Sequence, residues 1–143
     1  MKILLSLLLL FSLSAQASIG GVILHEGTGQ VERSEDGSEV VTEKELDIFS
    51  DDIVKTGKGK TAIQFVDDTR VDITEHSKLI IDAFVYDPET STGSLSIKAS
   101  LGTIRYASGL IAKNSKQNVK IQTPTATIGV RGTDFSMTVD ELG

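Results

Sequence analysis

Residues 119–139 alternate apolar and polar side chains on both sides of a short glycine-containing segment. The alternation runs over 119–123 and resumes over 135–139. Because successive side chains of a strand point to opposite faces, this period of two predicts two strands, each with one buried face. Between them, Gly129 and Gly132 allow the backbone to bend or to take a positive φ. The sequence therefore predicts a strand, a corner and a second strand.

Short segments of the same kind occupy most of the chain before this corner. We expect strands at residues 19–24, 30–33, 62–65, 71–73, 79–86, 95–99 and 102–106. The glycines in Glu26–Gly29 predict a turn, and Asp67–Thr69 predicts the turn of a hairpin. Residues 40–49 are compatible with a strand or with one helical turn, and Ser108–Ala112 with a helical turn. Residues 79–86 are apolar on both faces, which predicts a central strand covered on both sides.

No segment sustains the apolar period of 3.6 residues that marks an amphipathic helix. About ten short strands separated by turn residues predict a single all-β domain over residues 18–143. The spacing of the strands does not choose between a sandwich, a barrel and a solenoid.

Residues 1–17 have the pattern of a cleavable signal peptide. Lys2 is followed by a leucine-rich run over residues 3–13, and residues 15–17 supply a small-x-small cleavage pattern. The apolar run is about half of the ~20 residues that a spanning helix needs. We therefore expect an exported protein, periplasmic or secreted, whose mature chain starts near Ser18 and is not inserted in the membrane.

Composition excludes several function classes. The chain has no cysteine, which rules out disulfides, cysteine-ligated zinc and thiol catalysis. Its net charge is −6 and it has no basic stretch, which argues against nucleic acid as a partner.

Motifs for catalysis and for metal or phosphate binding are incomplete. The segment Gly57–Thr61 ends like a phosphate-binding loop, but Val54 stands where that loop needs glycine. His25 and His76 lie in no ligand pattern, and no Gly-x-Ser-x-Gly elbow occurs. We expect neither an enzyme nor a cofactor or metal site.

Two pairs of neighbouring acids invite comparison with a calcium site. They are Asp51 with Asp52, and Asp67 with Asp68. Neighbours on a strand point to opposite faces, so a pair does not form a dyad by itself. We interpret all four as turn-favouring, solvated residues.

The corner carries the candidate site, which consists of Arg131, Gly132, Thr133, Asp134 and Phe135. A guanidinium between glycines could bind an anionic ligand or a partner carboxylate. Alternatively, Arg131 could tie the corner together while Phe135 packs into the core. We favour this structural role. Arg131→Ala should then lower the melting temperature by several degrees. An unchanged melting curve with loss of binding would favour the functional role instead.

The corner and the segments before it resemble the FecR domain family. Members carry Thr-Pro-x-Ala and then x-Val-Arg-Gly-Thr-acid-Phe, which residues 123–126 and 129–135 match. The run Asp52–Gly57 resembles the family's Asp-x-Val-x-Thr segment, and Ala62–Val71 resembles its hairpin. The similarity spans Ile19–Val139 and implies a twisted β arrangement with solenoid-like character.

The resemblance also implies a function. Sigma regulators of this family sense an outer-membrane iron-siderophore transporter and signal through one membrane helix to a cytoplasmic anti-sigma segment. After the signal-peptide pattern this sequence has no apolar run of spanning length, so we expect an exported FecR-like domain without those parts. Such a domain would be a non-catalytic protein-binding or sensing module whose partner is an envelope protein. A structural or surface-assembly β protein and a glycan- or calcium-binding module stay open as alternatives.

Overall fold

Ten strands, one short α-helix and one 3-10 helix make up the part of the chain that the computed structural model describes, residues 17–130 and 134–141. The strands are β1 (Gly20–Glu32), β2 (Glu39–Val41), β3 (Asp47–Ile48), β4 (Ile53–Phe65), β5 (Arg70–Ile73), β6 (Lys78–Asp87), β7 (Thr92–Ala107), β8 (Val119–Gln122), β9 (Thr127–Gly129) and β10 (Asp134–Val139). The helix α1 covers Leu110–Asn114 and the 3-10 helix covers Lys116–Asn118. All ten strands belong to one sheet, which confirms the all-β prediction.

Two long strands close part of this sheet into a small barrel. The first three residues of β4, Ile53–Lys55, pair with β6, and Thr61–Gln64 near its end pair with β5. In the same way β7 pairs with β6 over its first half and with β5 over its second half. The hydrogen-bonded ring therefore runs β4–β5–β7–β6 and returns to β4, with every pair antiparallel. Of the arrangements that the sequence left open, this pairing shows a barrel core.

The inner side of the ring holds the hydrophobic core. The alternation along each strand places one apolar side chain in every two on this side, and burial of each contributes about 1.5–3 kcal/mol. The most deeply buried large side chains are Phe65, Ile48, Ile63, Ile73, Leu79, Ile81, Leu95, Ile97, Ile104, Tyr106, Ile111 and Ile121. The rings of Phe65 and Phe84 stack with their centroids 5.2 Å apart.

The predicted turn at Glu26–Gly29 is wrong, because β1 continues through it. Gly27 has φ +80° and pairs with Gly59 of β4, which has φ +153°. A Cβ at Gly59 would lie 1.9 Å from the carbonyl oxygen of Glu26. The glycines thus let two backbones approach within a continuous, bulged pair of strands.

The two strands expected at residues 95–99 and 102–106 are one strand, β7. Gly102 lies inside it with φ +89°. The pairing with β6 ends at Leu101 and the pairing with β5 begins at Ile104. Gly102 therefore bends β7 from one neighbour to the other without ending it.

The prediction that residues 79–86 are covered on both sides is wrong as well. Leu79, Ile81 and Phe84 are buried, but Val85 is 65% exposed. The outer half of β6 extends beyond the barrel as a hairpin arm with β7, and its second face meets solvent. The hairpin predicted around Asp67–Thr69 is present between β4 and β5. The helical turn expected at Ser108–Ala112 is α1, shifted by two residues.

The predicted signal peptide, except for its last residue, lies outside the described residues, as do Arg131, Gly132 and Thr133. Within the described ranges, no helix has the length and apolar character needed to span a membrane.

Candidate functional site

The segment before the corner is held by local hydrogen bonds of Thr123. Strand β8 runs parallel to β7 and is joined to β9 by a tight turn. In this turn the amide of Thr123 donates to the carbonyl oxygen of Ala126 at 2.8 Å. The amide of Ala126 donates back to the hydroxyl of Thr123 at 3.0 Å. Thr123 thus fixes the reversal, and buried Val130 follows β9.

Two of the five candidate residues, Asp134 and Phe135, begin strand β10. The ring of Phe135 packs on the ring of Tyr106, with centroids 5.1 Å apart. Asp134 is exposed on the opposite, outer side of the sheet. The structure therefore gives these neighbours different surroundings, one against the core and one in solvent.

A polar surface covers the outer side of β5, β7 and β10, and we call it the arginine face. It consists of Arg70, Asp72, Arg105, Asp134 and Ser136. Nε of Arg70 donates to Oδ1 of Asp72 at 2.7 Å. Arg105 lies between Asp72 and Ser136 in the register and is exposed. Within the described residues Arg105 makes no ion pair, and a shallow groove of about 310 Å³ lies beside it.

Strand β10 offers a free edge. It pairs with β7 from Asp134 to Val139, and no strand lies on its other side within the described part of the chain. Proteins commonly protect such edges with lysine, proline or a bulge. The six residues of β10 contain neither lysine nor proline, and the register with β7 is regular. The edge is therefore open to pairing with another strand.

The interpretation of Asp67 as a solvated residue is wrong, although it does lie in a turn. It is fully buried, and its carboxylate accepts hydrogen bonds from the Thr69 amide at 3.1 Å and the Thr69 hydroxyl at 2.8 Å. The same carboxylate accepts from the amide of Ile111 at 3.2 Å. It therefore joins the β4–β5 turn to the first turn of α1.

Asp52 is the second acid whose predicted exposure is wrong, since it is 1% exposed. Its carboxylate accepts a hydrogen bond from the Phe49 amide at 2.8 Å and pairs with the guanidinium of Arg33. Burial raises the pKa of Asp52, while the bond from Phe49 and the charge of Arg33 oppose the increase. Arg33 also lies over the ring of Phe49. The cluster fixes the loop before β4.

Neither buried aspartate was identified from the sequence, although both lie in short polar turns. The pattern Asp-x-Thr at residues 67–69 is the usual one for an aspartate that accepts from the backbone two residues on. That pattern does not reveal the bond from Ile111, which comes from a residue distant in the chain.

Two other candidates, His25 and the segment Gly57–Thr61, have structural roles. His25 contacts the hydroxyl of Thr61 at 2.9 Å and the carbonyl oxygen of Gly27 at 3.1 Å. Gly57–Thr61 lies within β4, so it forms strand instead of a loop leading into a helix. No cluster of three or more histidine or acidic residues suited to a metal occurs in the ranges that the structure covers.

The chain matches a protein family. Residues 52–143, nearly two thirds of the chain, match the FecR protein family. No curated protein and no solved structure matches the chain. The matched region contains β4 to β10, and so includes the whole barrel, the arginine face and the free edge.

Proposed function

Because the chain belongs to the FecR family, we propose that it is an exported sensing module that binds an envelope protein through the free edge of β10. Sensing and signalling are what domains of this family do. Export and protein binding are the parts that we add. The signal-peptide pattern of residues 1–17 supports export.

The observation that carries the proposal is the open edge of β10, which lies inside the region that matches the family. An edge strand binds an extended segment by main-chain hydrogen bonds, and side-chain pockets on either face provide selectivity. On β10 one face presents Phe135 and the other presents Asp134 and Ser136. The edge thus has two chemically distinct sides, as a selective strand-binding site requires.

We also propose that the domain is not catalytic. Its two buried carboxylates, Asp52 and Asp67, are engaged with backbone amides of their own turns. Both histidine nitrogens of His25 contact groups of the framework. These contacts support the proposal, because they give the three side chains a structural role.

Site-specific crosslinking in envelope preparations tests the proposal. A photoreactive side chain at Ser136 should crosslink one envelope protein, which mass spectrometry identifies. The matched control is the same group at Ser94, an exposed position on the β7 arm. Equal crosslinking from both positions, or none from Ser136, would contradict binding at this edge. A crosslink between two copies of the chain would favour the alternative of an assembly protein.

A further inference from the structure

We infer that the segment bound at β10 is extended, with an acidic residue facing Ser136 and apolar residues facing Phe135 and Met137. This inference rests on the proposed function and specifies the chemistry of the partner. It follows from the different surroundings on the two faces of β10.

The inner face of β10 requires apolar cover. Val139 is buried, but Phe135 and Met137 are only half-buried although both point toward the core. A strand added to the edge would bring its own side chains beside them, at the usual spacing of about 4.8 Å between strands. Apolar side chains at these positions would complete the burial of Phe135 and Met137.

The outer face provides a positive charge, that of Arg105. Arg105 is exposed and makes no ion pair with any described residue, while the carboxylate of the neighbouring Asp72 is bonded to Arg70. On its other side Arg105 is directly opposite Ser136, whose side chain is small. The long side chain of Arg105 can therefore extend over Ser136 toward the next strand. A carboxylate facing Ser136 matches the planar guanidinium.

Asp134 fixes the register of the incoming strand. It lies on the same outer face as Ser136, two residues away, and it is exposed. A residue facing Asp134 is favoured if it is basic and disfavoured if it is acidic. A shift by one residue would direct the partner's apolar side chains outward, against Asp134 and Ser136. The preferred segment thus reads basic, apolar, acidic, apolar against Asp134 to Met137.

Binding of synthetic peptides to the whole mature chain tests this inference. Three peptides carry lysine facing Asp134, valine facing Phe135 and Met137, and glutamate, glutamine or lysine facing Ser136. Each is synthesised in both chain directions. We expect the glutamate peptide to bind about tenfold more tightly than the lysine peptide at low salt, with glutamine between them.

Reversal of one charge makes the test specific. In Arg105→Glu the order of the glutamate and lysine peptides should invert. The control is Lys120→Glu, which also replaces a positive by a negative charge, at an exposed position on β8. In this variant the order of the peptides should be unchanged.

Three results would overturn the inference. They are equal affinity for the three peptides, no binding of any of them, and an order that Arg105→Glu leaves unchanged. If crosslinking at Ser136 still captures an envelope protein, the proposed function survives these failures; if it does not, both fail. A dimer that Arg105→Glu dissociates would show that a second copy occupies the edge, which overturns the assignment to a partner.

Discussion

Asp67→Asn should lower the free energy of unfolding by about 2 kcal/mol, and Asp67→Ala by about 4 kcal/mol. The carboxylate accepts three hydrogen bonds at a fully buried site. Asparagine retains the shape but replaces one acceptor oxygen by a donor group. Alanine leaves the amides of Thr69 and Ile111 without this acceptor and opens a cavity. Urea unfolding followed by circular dichroism should show the midpoint for Asp67→Asn falling by about 1 M.

The neighbouring residue supplies the matched control. Asp68 is exposed, and its carboxylate makes one side-chain contact, with Nε2 of Gln64 at 3.3 Å. It has φ +70°, a conformation that asparagine also tolerates. Asp68→Asn should therefore change the free energy of unfolding by less than about 0.5 kcal/mol. Equal effects of the two substitutions would contradict the role given to the buried carboxylate.

Gly102→Ala should destabilise the protein by about 3 kcal/mol or more. Gly102 has φ +89°, and its Cβ would lie 1.9 Å from Oγ and 2.5 Å from Cβ of Ser77. Ser77 cannot withdraw freely, because its amide donates to the hydroxyl of Thr56 and its carbonyl oxygen accepts from the amide of Thr56. Backbone strain and the clash therefore add.

Substitutions at two other glycines separate the cost of backbone strain from the cost of the clash. Gly37 has φ +70° with open space around it, so Gly37→Ala should cost about 1 kcal/mol from strain alone. Gly129 has neither a positive φ nor a close neighbour, and Gly129→Ala should be nearly neutral. Melting curves of the three variants give the order of their stabilities. If Gly102→Ala is no more destabilising than Gly37→Ala, the bend in β7 does not depend on the close approach to Ser77.

The alternation of side chains was sufficient to predict the fold class, but not the continuity of the strands. Each strand forms from a local period of two, as in the hairpin around Asp67–Thr69. Whether a glycine ends a strand depends on what lies opposite it. Gly27 continues β1 because Gly59 faces it. Gly102 continues β7 because it lies between the residues that pair with β6, which end at Leu101, and those that pair with β5, which begin at Ile104. Such information is non-local and is not contained in a short window of sequence.

The same limit applies to the candidate site. The motif directed attention to Asp134 and Phe135, which β10 separates onto opposite faces. It gave no indication of Arg105, since that residue is an ordinary charged position until the register with Ser136 is known. Asp67 was misjudged for a related reason, because its third hydrogen bond comes from Ile111. Arg131, Gly132 and Thr133 remain predictions from the sequence.

Hydrogen exchange of the β10 amides, measured by NMR, tests most directly whether this strand offers a free edge to a partner. In the free protein, alternate amides between Asp134 and Val139 should be protected by β7, while those between them exchange rapidly. Addition of the glutamate peptide should protect the second set. Protection of all six amides in the free protein, or unchanged exchange on saturation with the peptide, would contradict the account.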